Sequence, residues 1–239
     1  MIDNLQLVTT NLLDSYSKDP TVRDRLNAKG LYVSFQDNTV LVNYYLTDII
    51  DSSTEYIEFI EILSVLAPED TVFVYLDNGG GYLSGAQIIL AALRTTQAYT
   101  VAIVLDMAAS AATIVALGCD EVQMNPHAWF MLHSVSFGAS SAKLHENQAF
   151  MEFNIEHSKR FLRDCYKDFL TPLEIEGLIA GRDFYFTDNE VMERFSRVQQ
   201  SRQKTIEEAQ EEAIKHQIEY LVHRLPGWSD QNNSLDYEI

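Results

Sequence analysis

Two short runs rich in apolar and β-branched residues, Thr71–Leu76 (TVFVYL) and Tyr99–Leu105 (YTVAIVL), are each followed by a helical pattern, Gln87–Arg94 and Ala111–Leu117. That rhythm constrains the fold more than anything else in the chain. Strands that are apolar on both faces must be covered on both faces, and parallel strands need crossovers. Buried strands alternating with helices therefore predict a parallel sheet with helices packed against it, an α/β fold. Glu121–Met124 and Trp129–His133 read as further strands, separated by Asn125-Pro126. Upstream, Leu31–Tyr45 (LYVSFQDNTVLVNYY) reads as a hairpin turning at Gln36-Asp37-Asn38,. Ser53–Leu66 carries apolar residues at helical spacing, with Asp51, Ser52 or Ser53 placed to cap it,. Lys143–Leu170 is one long helical pattern, and Thr171-Pro172 starts another with a capping threonine and a proline at the first position,.

This divides the chain into an arm or short helix at 1–30, a main domain at 31–198 and a charged helical extension with a tail at 199–239. Pro226-Gly227 should stop the extension,.

Charge and composition exclude several classes of function. Lys plus Arg is 17 against 35 for Asp plus Glu, a net charge of −18, which speaks against gripping a phosphate backbone and so against a nucleic-acid partner,. Tyr99–Leu105 and Met107–Leu117 are interrupted by Asp106 and fall short of a membrane span, and the first residues lack a basic, then apolar, secretory signal,. Cys119 and Cys165 form neither a disulfide framework nor a CxxC site, so a reducing cytoplasm is the expected setting,. No Gly-Lys-Ser/Thr triplet is present, which removes ATP hydrolysis within this chain, and no cofactor is implied,.

Three separated features bear chemistry. Asp77-Asn78-Gly79-Gly80-Gly81 follows a strand, and glycines there let backbone N–H groups approach a ligand, as in an oxyanion hole, or simply make a tight turn,. Met107-Ala108-Ala109-Ser110-Ala111 puts a serine at a strand-to-helix junction, where it serves as a nucleophile or merely as an N-cap,. In Pro126–His133, alternation sets His127, Trp129, Met131 and His133 on one face,. No nearby Cys, Asp or Glu completes a metal site for those two histidines,.

Taken together, these blocks resemble the Clp protease proteolytic subunit family of serine peptidases. Asn78-Gly79-Gly80 stands where that family has Pro-Gly-Gly, with Gly85 on its next glycine. Met107–Ser110 matches its Gly-x-Ala-Ala-Ser motif from the second position. Pro126 with Met131-Leu132-His133 matches its Pro…Met-Ile-His strand, and Arg182–Thr187 resembles its Arg-Asp-x-Phe-x-Ser segment. The resemblance implies a crotonase-like fold of repeated ββα units with a long handle helix at 143–170. It implies Ser110 as nucleophile, His133 as general base and acid, Asp183 as the orienting carboxylate, and the N–H groups of Gly80 and Ala111 as oxyanion donors. It further implies polypeptide substrates, homo-oligomeric rings enclosing the serines, and an AAA+ unfoldase partner.

Departures accompany the match. Asp106 replaces the motif's opening glycine, Asn78 replaces its proline, and Ser134-Val135-Ser136 follows the histidine instead of Gln-Pro-Leu. They suit a divergent member of the kind a phage would encode for capsid maturation. An assembly protein that keeps the scaffold with an impaired site is an alternative, for which Asp106 is the sign. An acyl-CoA enzyme of the same fold is a further alternative, although it has no need of a Ser-His-Asp set. A Ser–Lys dyad is disfavoured, because no lysine lies between Lys29 and Lys143.

Overall fold

The computed structural model describes residues 13–136 and 144–224, and the division of the chain into two units falls between Ser196 and Arg197. The first unit is a mixed α/β arrangement around one seven-stranded sheet. Its chain order begins with α1 (Pro20–Ala28), β1 (Leu31–Gln36) and β2 (Thr39–Leu46), followed by a 3₁₀ turn (Ser53–Tyr56) that runs into α2 (Ile57–Leu63). β3 (Thr71–Asn78), α3 (Leu83–Thr95), β4 (Tyr99–Ala109), α4 (Ala111–Gly118), β5 (Glu121–Met124) and β6 (Trp129–Leu132) make up the centre. α5 (Leu144–Tyr166), α6 (Pro172–Ile179), β7 (Phe184–Thr187) and the start of α7 (Asp188–Arg224), up to Ser196, complete it.

β1 and β2 form the expected hairpin, with Asp37 at φ 52° in its turn. β2, β3 and β4 then pair in parallel. β4 is the pivot of the sheet. Beyond β3, its first half (Val101–Val104) pairs with β5, and its last residues (Met107–Ala109) pair with β6. The composition pattern ends this strand near Leu105, whereas it continues to Ala109 because β6 offers a second ladder there. The register of β3 with β4 shifts between Leu76↔Val104 and Asn78↔Ala108, and the residues accommodated by the shift, Leu105 and Asp106, are exposed. The irregularity turns the Asp106 carboxylate away from the core.

The strands owe their stability to one buried face. Val72, Val74 and Leu76 of β3, with Ala102 and Val104 of β4, are fully buried. Every residue of α4 is buried as well, where the helix packs against the sheet. Phe130 and Leu132 are fully buried, each such burial stabilising by about 1.5–3 kcal/mol, and they fix the facing of β6,. Trp129, Met131 and His133 are consequently on its other, half-buried side,.

β7 has no apolar signature long enough to be read as a strand, yet it pairs antiparallel with β6 over Trp129↔Thr187 to Leu132↔Phe184. α6 starts on a capping box in which Thr171 Oγ1 accepts from the Glu174 N–H and the Glu174 carboxylate accepts from the Thr171 N–H,. The long helical pattern at 143–170 is realised as α5, ending at Tyr166; position 143 lies outside the described residues, as do the Pro226-Gly227 stop and the tail. The arm at 1–30 is described from residue 13 and is helical in part, with Asp19 capping α1 by accepting from the Thr21 N–H at 2.9 Å. In the second unit the charged continuation of α7 is exposed over residues 203–221. Among the described residues no helix is long and apolar enough to cross a membrane.

Candidate active site

Ser110 is the first residue after β4 and the N-cap of α4. Its backbone has φ 53° and ψ −125°, a conformation that costs an L residue about 1–3 kcal/mol and persists only where the surroundings enforce it,. The enforcing contacts are backbone ones. The Ser110 N–H donates to the Met131 carbonyl at 2.7 Å, which ties the serine to β6. The Ser110 carbonyl accepts from the Thr113 N–H at 3.1 Å and from Thr113 Oγ1 at 2.7 Å. Thr113 Oγ1 lies 2.7 Å from the hydroxyl of Tyr166, and since its own hydrogen goes to Ser110, Tyr166 is the donor in that bond,. Burial pushes the Tyr166 phenol well above its ordinary range, keeping it a neutral donor,.

The serine side chain makes no cap bond to its own helix. Its Oγ lies instead 2.6 Å from His133 Nε2. β6 delivers His133 by ending at Leu132, one residue short of it. For Nε2 to take the serine proton, Nδ1 must carry the imidazole hydrogen, and that is the nitrogen an orienting carboxylate engages.

The other sequence-derived residues are distributed as follows. Ala111 opens α4, where the first N–H groups have no partner within the helix,. Gly80 has φ +95°, and a Cβ there would fall 2.6 Å from Ser110 Cβ and 2.7 Å from the Ala109 carbonyl oxygen, so only glycine allows this approach,. Its N–H donates to Asn78 Oδ1 at 2.7 Å. Asp183 is exposed and precedes β7; the register Leu132↔Phe184, extended by one residue, sets it opposite His133. No hydrogen bond joins Asp183 to His133. The chain thus brings Ser110, His133, Ala111 and Gly80 together, with Asp183 on the neighbouring strand end. His127, at φ 71° in the turn before β6, is exposed and donates its N–H to Asp188 Oδ2 at 3.2 Å, away from the serine.

A cavity of about 840 Å³ opens over the Ser–His pair. One face of α5 closes it through Phe150, Phe153, Leu162 and Tyr166, and Ile114 of α4 contributes to the apolar wall. Among the described residues no cluster of His, Cys, Asp or Glu is arranged to hold a metal. Sequence reasoning missed Thr113 and Tyr166, since a threonine inside an apolar helix and a tyrosine ending a long one carry no linear signal of meeting. Asn78 did carry one, because Asn before consecutive glycines is the pattern of an Asx turn,.

The fold is thus a mixed α/β protein of repeated strand–strand–helix units, whose central strand leads into a strained serine hydrogen-bonded to an imidazole beside an apolar cavity. The chain belongs to the Clp protease family, which it matches over residues 35–194. No curated protein matches it.

Proposed function

We propose that the protein is a serine endopeptidase acting on polypeptides, with a crotonase-like fold assembled into homo-oligomeric rings. The observation that carries this reading is the 2.6 Å contact between Ser110 Oγ and His133 Nε2 at the mouth of the cavity. Ser110 Oγ attacks the scissile carbonyl carbon while His133 Nε2 takes its proton, then returns it to the departing amine; water repeats the sequence on the acyl-enzyme. Asp183 orients the imidazole through Nδ1 once the β6–β7 register extends to the pair 133 and 183. The oxyanion is held by the Ala111 N–H and by an N–H of the glycine turn, where the sequence reading puts Gly80. Such a donor is worth about 3–4 kcal/mol. The free thiols Cys119 and Cys165 support a cytoplasmic setting, and an AAA+ unfoldase is the partner that ring enclosure would require,.

A fluorophosphonate probe should label Ser110 in the assembled protein, Ser110→Ala should abolish labelling, and native mass measurement should give a ring. A second reading, a scaffold with an impaired site, is favoured by the exposed Asp183 and the absence of its bond to His133. Intact rings with an unreactive Ser110 would establish it.

A further inference from the structure

The second unit begins at Arg197, and its helix stands exposed along residues 203–221. A solvent-bridging helix that is polar all round needs no partner, but this one is two-sided. At 3.6 residues per turn, Ile206, Ala209, Ala213, Ile214, Ile218 and Leu221 fall on one half of its circumference,. Glu208, Glu211, Glu212, Lys215 and Glu219 fall on the other,. The large apolar side chains lie open to solvent, Ile206 at 51%, Ile214 at 57%, Ile218 at 55% and Leu221 at 56% exposure. Such a contiguous stripe gains free energy from whatever covers it.

The charges choose the cover. A helix that lies on a membrane carries Lys and Arg on its polar half, whereas this half carries four glutamates and one lysine, so anionic lipid repels it,. A second copy running parallel and in register would set Glu207 against the partner's Glu212 beside the apolar seam,. An antiparallel copy centred between Ala213 and Ile214 avoids that clash. Ile206 then meets the partner's Leu221, Ala209 the partner's Ile218, and Ala213 the partner's Ile214. On the flanks Glu211 comes beside the partner's Lys215, and Glu212 beside the partner's His216, each contact occurring twice by symmetry,.

We propose that residues 206–221 of α7 are a pairing surface for a second copy of this chain, antiparallel and centred between Ala213 and Ile214. Both copies use the same face, so the contact is isologous and closes at two. It does not depend on the chemistry at Ser110.

The test is cross-linking of the full chain by a short bismaleimide, read on a denaturing gel, with wild type as the blank for Cys119 and Cys165. Ile206→Cys with Leu221→Cys in one chain should give a covalent dimer, and so should a mixture of the two single variants. Each single variant alone should stay monomeric on the gel. Single variants that cross-link to themselves mean a parallel pair and overturn the inference. A double variant that gives no dimer, or that is captured only by a different protein, overturns it too. In the double-cysteine chain, Lys215→Glu makes both Glu211 contacts repulsive and should slow cross-linking about three- to tenfold. Adding Glu211→Lys should restore the rate, and a rate indifferent to both changes overturns the register. Should the cysteine variants fail to fold, hydrogen exchange of the wild type decides. Its amides over 206–221 should exchange about tenfold more slowly than those of Ile214→Glu, and equal rates overturn the pairing.

Discussion

Replacing Thr113 by valine tests whether the strained serine is held from behind by the long helix. Thr113 is fully buried and Tyr166 is 2% exposed, so neither hydroxyl has water to fall back on. Thr113→Val removes the 2.7 Å donation to the Ser110 carbonyl, worth about 0.5–1.5 kcal/mol net,. It also strands the Tyr166 hydroxyl in the core, at about 1–3 kcal/mol. Together these predict a loss of about 1.5–4.5 kcal/mol, which lowers the melting temperature by about 3–18 °C in a unit of this size. The serine keeps its bond from the Thr113 N–H, so fluorophosphonate labelling should slow without stopping. The distinguishing result comes from the double variant. Tyr166→Phe removes the stranded hydroxyl, so Thr113→Val with Tyr166→Phe should melt higher than Thr113→Val alone, with a coupling of about 1–3 kcal/mol. Thermal denaturation of the four proteins checks this. Strictly additive shifts, or a Thr113→Val protein as stable as wild type, would refute the linkage.

His133→Ala should reduce labelling of Ser110 by about 10²–10⁴-fold while leaving the melting temperature close to wild type, read by probe kinetics and thermal denaturation side by side. The Glu174 carboxyl is pulled down to about 2 by hydrogen bonds from Arg194, with further ones from Thr171. A carboxyl held below its unfolded value stabilises the fold above that value, so this contribution, at most about 3 kcal/mol, should be lost as pH falls from 4.5 toward 2,. Glu174→Gln should flatten that part of a stability–pH curve, and an unchanged slope would count against the pairing. Burial pushes the Cys165 thiol up to about 12 and Cys119 is wholly buried, so neither should alkylate appreciably with iodoacetamide at pH near 8 without denaturant, as mass spectrometry would show,.

Much of this protein is written in local patterns. The apolar runs at Thr71 and Tyr99, the hairpin turn around Asp37 and the Thr171-Pro172 helix start all depend on neighbours a few residues apart, and each forms where its pattern places it. Junctions also drew attention to the serine after Ala-Ala at a strand end and the histidine at the end of a short strand, but their candidate roles came from the family resemblance of several blocks in order. Contacts between segments distant in sequence had no such mark. The extension of β4 to Ala109 depends on β6, and β7 exists as a strand because β6 supplies its partner.

By itself the sequence determined the alternation of strand and helix, the acidic surface and the residue types available at each junction, since these follow from composition and short-range spacing. Only the tertiary structure decided that His133 reaches Ser110, that Asn78 holds Gly80, and that Tyr166 stands behind Thr113. A hydrogen bond depends on direction and distance to within a few tenths of an ångström, and those are fixed by the packing of the whole sheet.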